Sequence, residues 1–199
     1  MHKYTSDPDK RLLHGTGMIL APTERNLVIS ALGVVQILAW GSTYYLPAIL
    51  TDPILRDTGW SRTSVAAAIS VALFASALVA TRVGRAIQLR GGRPVLATGM
   101  VLISLGLAMA GMAPNLGTFL FAWSVIGVGM GAGLYDAAFS TLGRIYGSDA
   151  RRAITSLTLW GGFASTVCWP ISAWLVETIG WRGACWTYAA IHLAVTLPL

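Results

Sequence analysis

Charge is scarce in this chain of 199 residues: only 11% are Asp, Glu, Lys or Arg, against roughly 25% in a soluble globular domain. The shortage is concentrated. Thr63–Thr81 and Val95–Ala113 are each 19 residues without a charged side chain, and each would cover about 28 Å as a helix, close to the ~30 Å hydrocarbon core of a bilayer. Blocks of that kind exclude an ordinary soluble domain and place the chain in the membrane class. Cysteine is equally scarce. Cys168 and Cys185 fall inside apolar blocks at a spacing that suits neither a metal site nor a disulfide framework, so they read as small packing residues. There is no GxSxG, no HExxH, no CxxC and no pair of carboxylates within one block, which argues against an intramembrane enzyme. Neither metal nor cofactor is implied. A cleavable leader is not expected either, because Lys3, Asp7, Asp9, Lys10 and Arg11 leave the first residues no apolar core. Residues 1–25 read as an arm without fixed structure.

What charge there is has a sign and a place. The net charge is +6, and the basic residues cluster between apolar blocks, not along one exposed face, which excludes nucleic-acid binding. Arg82, Arg85, Arg90 and Arg93 crowd into 12 residues without a carboxylate. The stretch Gly84–Leu96, GRAIQLRGGRPVL, reads as a tight cytoplasmic hairpin between two membrane spans. Six spans are expected, at about 26–50, 62–83, 94–113, 116–142, 153–176 and 184–199. The arm and the loops after spans two and four would hold 11 Lys and Arg, the other side 3, so both termini are expected in the cytoplasm. Ser61 suits the N-cap of span two, and Pro170 should bend span five. Trp60, Trp123, Trp174, Trp181 and Trp186 are expected at the outer interface.

The basic stretch resembles the loop signature of the major facilitator superfamily, G-x-x-x-D-R-x-G-R-[RK]-x-x-L. Gly84 and Gly91 fall on its two glycines, Arg93 on the last basic position and Leu96 on the leucine. Gln88 and Leu89 depart, replacing the acid and the arginine that follows it. The form Gly91-Gly92-Arg93-Pro94 is similar to the monocarboxylate and oxalate–formate branch. The resemblance implies an all-α membrane fold of six helices in two inverted three-helix repeats, with a second, C-terminal half elsewhere. It implies secondary transport of a small organic solute, such as a monocarboxylate-like anion, across the cell membrane by alternating access. Span five has Trp169-Pro170 without the glycines that mark drug–proton antiporters, which weakens the efflux alternative. No mid-span arginine is present to pair with an anion. A scaffold that moves nothing and a homodimer of halves are the rivals. No clear identity relates residues 26–113 to 116–199.

Candidate site residues fall into two groups. Gln36, Trp40, Thr43 and Tyr44 lie on one helical stripe, which lipid would not favour. Either the stripe lines an open concave face, a substrate cavity completed by Tyr135, Trp160 and Trp169, or its polar members bond across a packed helix interface. The second group is a cytoplasmic gate: Gly84, Arg85, Gln88, Gly91, Gly92 and Arg93 of the loop with Asp136 and Arg144 of span four. Asp136 is the one acid well inside an expected span and is costly there unless paired, protonated or hydrated. Three roles fit it: an ion pair gating to Arg85, Arg93 or Arg144, a proton carrier, or a structural pair. In span four, Gly127 with Gly131 and Gly129 with Gly133 form two small-residue stripes suited to close helix approach. His192 fits a packed, hydrogen-bonded residue or a proton relay.

Overall fold

The computed structural model describes residues 22–199, with side chains from Arg25 onward, so most of the arm expected over 1–25 lies outside the described residues. Among these residues there are helices and tight turns and no strand. α1 (Pro22–Trp40) passes through a π-helical turn, Gly41–Tyr45, into α2 (Leu46–Thr58). α3 (Arg62–Arg90), α4 (Gly92–Gly111), α5 (Leu116–Gly133), α6 (Tyr135–Tyr146), α7 (Ala150–Gly162) and α8 (Ala164–Ile191) follow, and a second π-helical turn, His192–Thr196, ends the bundle. Four helical stretches are long and apolar enough to cross a membrane: Arg25–Thr58, Arg62–Arg90, Gly92–Gly111 and Leu116–Thr196. The last is 81 residues, about 120 Å if it were straight. It is broken at Leu134 (ψ −163°), Gly147 (φ 52°) and Gly180 (φ 74°).

Local chemistry accounts for the boundaries. Gly59 ends α2 in the left-handed region and returns its N–H to Leu55 O at 3.0 Å, a conformation that costs glycine little. Ser61 Oγ caps α3 by accepting from Ser64 N at 3.1 Å, and Asn115 Oδ1 caps α5 by accepting from Thr118 N at 2.9 Å. The basic stretch is not the loop that its charge suggests. α3 continues through Gly84, Arg85 and Gln88 to Arg90, and only Gly91, at φ 91°, leaves the helix. Arginine, glutamine and leucine are strong helix formers, and cations at a helix C-terminus oppose its negative dipole end. Gly84 therefore lies inside the helix and not in the expected hairpin turn.

The two glycine stripes of α5 behave as expected. A methyl group on Gly127 would collide with Ala72 O, and one on Gly131 would lie 3.0 Å from Ser76 O, so this stripe seats α3. A methyl on Gly129 would come within 2.8 Å of Ile103 N, and Gly133 faces Met100, so the other stripe seats α4. The two neighbours thus touch the α5 backbone itself. The core runs outward from there through Ile126, Ile103 and Leu107 to Phe119, Trp123, Trp181 and Tyr188. Trp123 and Trp181 are buried inside the bundle. Phe119 lies between them, with ring centroids 6.1 and 6.2 Å away, so their aromatic surface goes into the core. Trp174 and Trp186 remain exposed.

Gly127→Val forces α3 away from α5 and should destabilise the bundle by more than ~3 kcal/mol. Gly84→Ala meets nothing within 4 Å and should be neutral or stabilising by about 0.5–1 kcal/mol. Thermal unfolding of the two purified variants in one detergent checks the contrast.

Candidate functional site

Gln36 is fully buried and donates from Nε2 to Gly133 O at 2.8 Å. That carbonyl sits where α5 breaks, so the helix supplies it no donor, and the side chain of α1 serves in its place. Thr43 is also fully buried, its Oγ1 donating to Ala39 O at 2.6 Å in its own helix. These two residues therefore do not line an open face. The stripe is half packed interface, and the expected concave wall narrows to its aromatic members. Trp40 lies 5.0 Å from Tyr135 and 5.3 Å from Tyr44, ring centroid to centroid. Tyr135 stacks on Phe139 at 5.0 Å and 13°, and Tyr45 packs edge-on to Tyr44 at 5.6 Å. Tyr44 remains 45% exposed. Two buried polar atoms here have no partner among the described residues, Gln36 Oε1 and Trp40 Nε1. Trp160 is partly exposed and covers Gly33. Trp169 makes no ring pair with the others among the described residues and stands apart. Tyr45 joins the wall beside Tyr44, and Phe139 joins it without having been singled out, although it stands four residues after Tyr135, the spacing that stacks rings along a helix.

The wall depends on the π-helical turn. Gly41 lies directly against the Cys168 side chain, so no larger residue fits while α8 holds its place. Ser42 Oγ lies 2.7 Å from His192 Nε2, and His192 Nδ1 lies 3.0 Å from Thr196 Oγ1. Thr196 spends its one proton on His192 O, at 2.9 Å. Ser42 Oγ also lies 3.4 Å from Ala39 O. Through these contacts His192 ties the two π-helical turns together, the packed role of the two considered.

Asp136 is exposed in the first turn of α6 and forms no ion pair within 4.0 Å among the described residues. The pairing expected with Arg85, Arg93 or Arg144 is absent. An exposed carboxylate in the first turn of a helix is solvated and favoured by the helix dipole, so it needs no guanidinium. Arg144 instead donates from Nη1 to Ile87 O, at 2.8 Å, and to Gln88 O. It caps the C-terminus of α3, where Gly91 N also reaches Ile87 O at 2.9 Å. Gly92 packs directly against Thr141, pinning α4 to α6. The opposite end of the bundle holds a second network that sequence reasoning missed. Arg182 donates to Gly111 O at 3.2 Å and Ala113 O at 2.9 Å and lies 4.2 Å from the Trp181 ring centroid. Asp57 accepts from Trp181 Nε1 at 3.0 Å and pairs with Arg182 at 3.5 Å. Gly180-Trp181-Arg182 stands out in the sequence, but its partner lies 124 residues away, so no local pattern marks it.

The Major Facilitator Superfamily model matches residues 32–199. Among curated proteins, the chain is 34% identical over 146 residues to monocarboxylate transporter 11 of Mus musculus, covering 71% of this chain and 30% of that protein. It is 35% identical over 150 residues to monocarboxylate transporter 11 of Homo sapiens, 73% of this chain and 29% of that one. It is 26% identical over 145 residues to the transcription regulatory protein OpdE of Pseudomonas aeruginosa, 70% of this chain and 35% of that one. The chain thus spans about a third of the length of these relatives.

Gln36→Leu strands the buried Gly133 carbonyl and should cost about 1–3 kcal/mol of stability, whereas Asp136→Asn, at an exposed and unpaired carboxylate, should change it by less than ~0.5 kcal/mol. The shift in thermal midpoint of each variant checks the order.

Proposed function

The chain belongs to the major facilitator superfamily, and on that premise we propose that it forms the N-terminal six-helix half of a secondary transporter. The transporter moves a small, monocarboxylate-like organic anion by alternating access. The positive-φ glycines support the architecture. Gly59 and Gly91 stand 32 positions apart, and Gly147 and Gly180 stand 33 apart. Gly91 (φ 91°, ψ 163°) and Gly180 (φ 74°, ψ 170°) share one unusual conformation. Cut at Gly147 and Gly180, the long last stretch yields three spans, which with the three before it makes six. Three is an odd number, so the second copy enters the membrane from the opposite side and the repeat is inverted. Helix pairing agrees: α1 packs on α7 and α3 on α5, the same relation in the two copies, and α4 packs on α8. The Lys and Arg bias supports a cytoplasmic position for the arginine-rich end.

The observation that carries the function is a pair of interrupted helices. Span one is distorted at Gly41–Tyr45 and span four breaks at Leu134, which are corresponding places in the two copies. Interrupted spans at matched positions mark the substrate site of such transporters, and here they carry Trp40, Tyr44, Tyr45 and Tyr135. The wall is aromatic with few polar groups. It offers an organic anion apolar contact and hydroxyl and indole donors, while the balancing cation comes from the C-terminal half. Arg144 on the α3 carbonyls, with Gly91, Gly92 and Arg93 beside it, acts as the cytoplasmic gate. The names of the two monocarboxylate transporters support the substrate class.

In proteoliposomes of the whole protein, uptake of radiolabelled short monocarboxylates should be measurable under an imposed proton or sodium gradient. Trp40→Ala and Tyr135→Ala should each lower kcat/KM about tenfold, the loss of one aromatic contact. Phe121→Ala, on an exposed face, should not. Absence of flux for every monocarboxylate tried removes the substrate class; equal activity of all three variants removes the site.

A further inference from the structure

We propose that Arg56 is a positioning residue for transport, the counterpart of Arg144 at the opposite end of the bundle, which clasps the carbonyls of Val176 and Glu177 in the conformer that seals that end. The proposal rests on the inverted repeat argued above. Its first support is register. Arg56 and Arg144 each stand three residues before the positive-φ glycine that ends their helix, Gly59 and Gly147. The carbonyls that Arg144 holds belong to Ile87 and Gln88, four and three residues before Gly91. Val176 and Glu177 stand four and three residues before Gly180. An arginine follows each glycine at the second position, Arg93 and Arg182. Donor, acceptor pair and turn therefore occur twice, once at each end.

Only one copy is engaged in this structure. Arg144 spans from α6 to α3, while Arg56 bonds within its own helix, Nε to Asp52 O at 3.3 Å. Facing it is an open cavity of about 580 Å³ whose lining includes Arg56, Val176, Glu177 and Gly180. The donor residue and both acceptor residues thus line one cavity. Closing the cavity would set a guanidinium on the last carbonyls of a helix segment, where the dipole is negative. The two ends also differ in charge. Gln88 is neutral, whereas Glu177 at the matching place can add a charge-assisted bond to the clasp. The moving part is local. Asp57 already ties the end of α2 to Trp181 and Arg182, and span five can flex where α7 gives way to α8 at Phe163 and again at Pro170.

The test reads conformers without any substrate, so its result is independent of the transport assay. In the whole protein in sealed membrane vesicles, an Ile179→Cys reporter, at an exposed position lining this cavity, is labelled with a membrane-impermeant maleimide. Cys168 and Cys185 are buried and give little background. Arg56→Gln should raise the labelling rate at least about twofold by removing the sealed conformer. Arg56→Lys, whose ammonium can still donate to carbonyls, should return it toward the parent rate. Arg144→Gln should lower the rate, because releasing the clasp at the other end favours the sealed conformer. An unchanged rate in Arg56→Gln, no rescue by lysine, or a shift of Arg56→Gln and Arg144→Gln in the same direction overturns the proposal. Loss of monocarboxylate flux with opposite labelling shifts intact would sink only the substrate reading.

Discussion

A carbonyl at a helix end keeps its need for a donor wherever water is excluded, and this bundle meets that need with side chains from other helices. Gln36 reaches Gly133 O, Arg144 reaches Ile87 O and Gln88 O, and Arg182 reaches Gly111 O and Ala113 O. Ser104 adds a bond to Ala189 O at 2.8 Å, joining α4 to α8. Around the buried Gln36 and Ser104 contacts an unpaired peptide group would cost several kcal/mol; the Arg144 and Arg182 contacts lie at partly exposed helix ends. Each of these contacts therefore does two things: it permits a helix to stop or break, and it fixes which neighbour stands beside the break.

Close approach is the complement of that constraint. The α5 backbone can sit against α3 and α4 because glycine lines both contact faces. Backbone contacts at Gly127, Gly129 and Gly131 bring α3 and α4 close to α5, and Gln36 ties the break at Leu134 to α1. The aromatic wall follows from this. Tyr135 begins α6 immediately after the break, and the π-helical turn of span one presents Tyr44 and Tyr45 beside Trp40. Irregular backbone at these two places is what brings aromatic side chains of two helices into one wall.

The proposed duplication illustrates how backbone geometry can outlast side-chain identity. Residues 26–113 and 116–199 show no clear identity, yet Gly91 and Gly180 adopt nearly the same φ and ψ. Side chains facing lipid or a neighbour can change so long as they stay apolar. A turn at positive φ tolerates few residues besides glycine, so it persists.

Apolar block length, the glycine stripes, the Ser61 cap and the Gly91 turn were legible in the sequence, because each is a local property: transfer free energy, steric bulk, hydrogen-bond reach and backbone freedom. Trp40, Tyr44 and Tyr135 were legible as candidates, since helical spacing alone puts Trp40 and Tyr44 on one side, whereas Phe139 in the wall and Trp169 apart from it were not. Which polar groups meet was not. Asp136 looked like the partner of an arginine, and the fold instead directs Arg144 to backbone carbonyls and leaves Asp136 exposed at a helix N-terminus. Gln36 could have faced a cavity, and only the break of α5 beside it made it a helix-to-helix bond. Asp57 and Arg182 gave no sign of each other. A pairing between distant residues depends on where two helices end in space, and a one-dimensional pattern holds no record of that; tertiary packing decides it, because it alone determines which helix end lies within reach of which side chain.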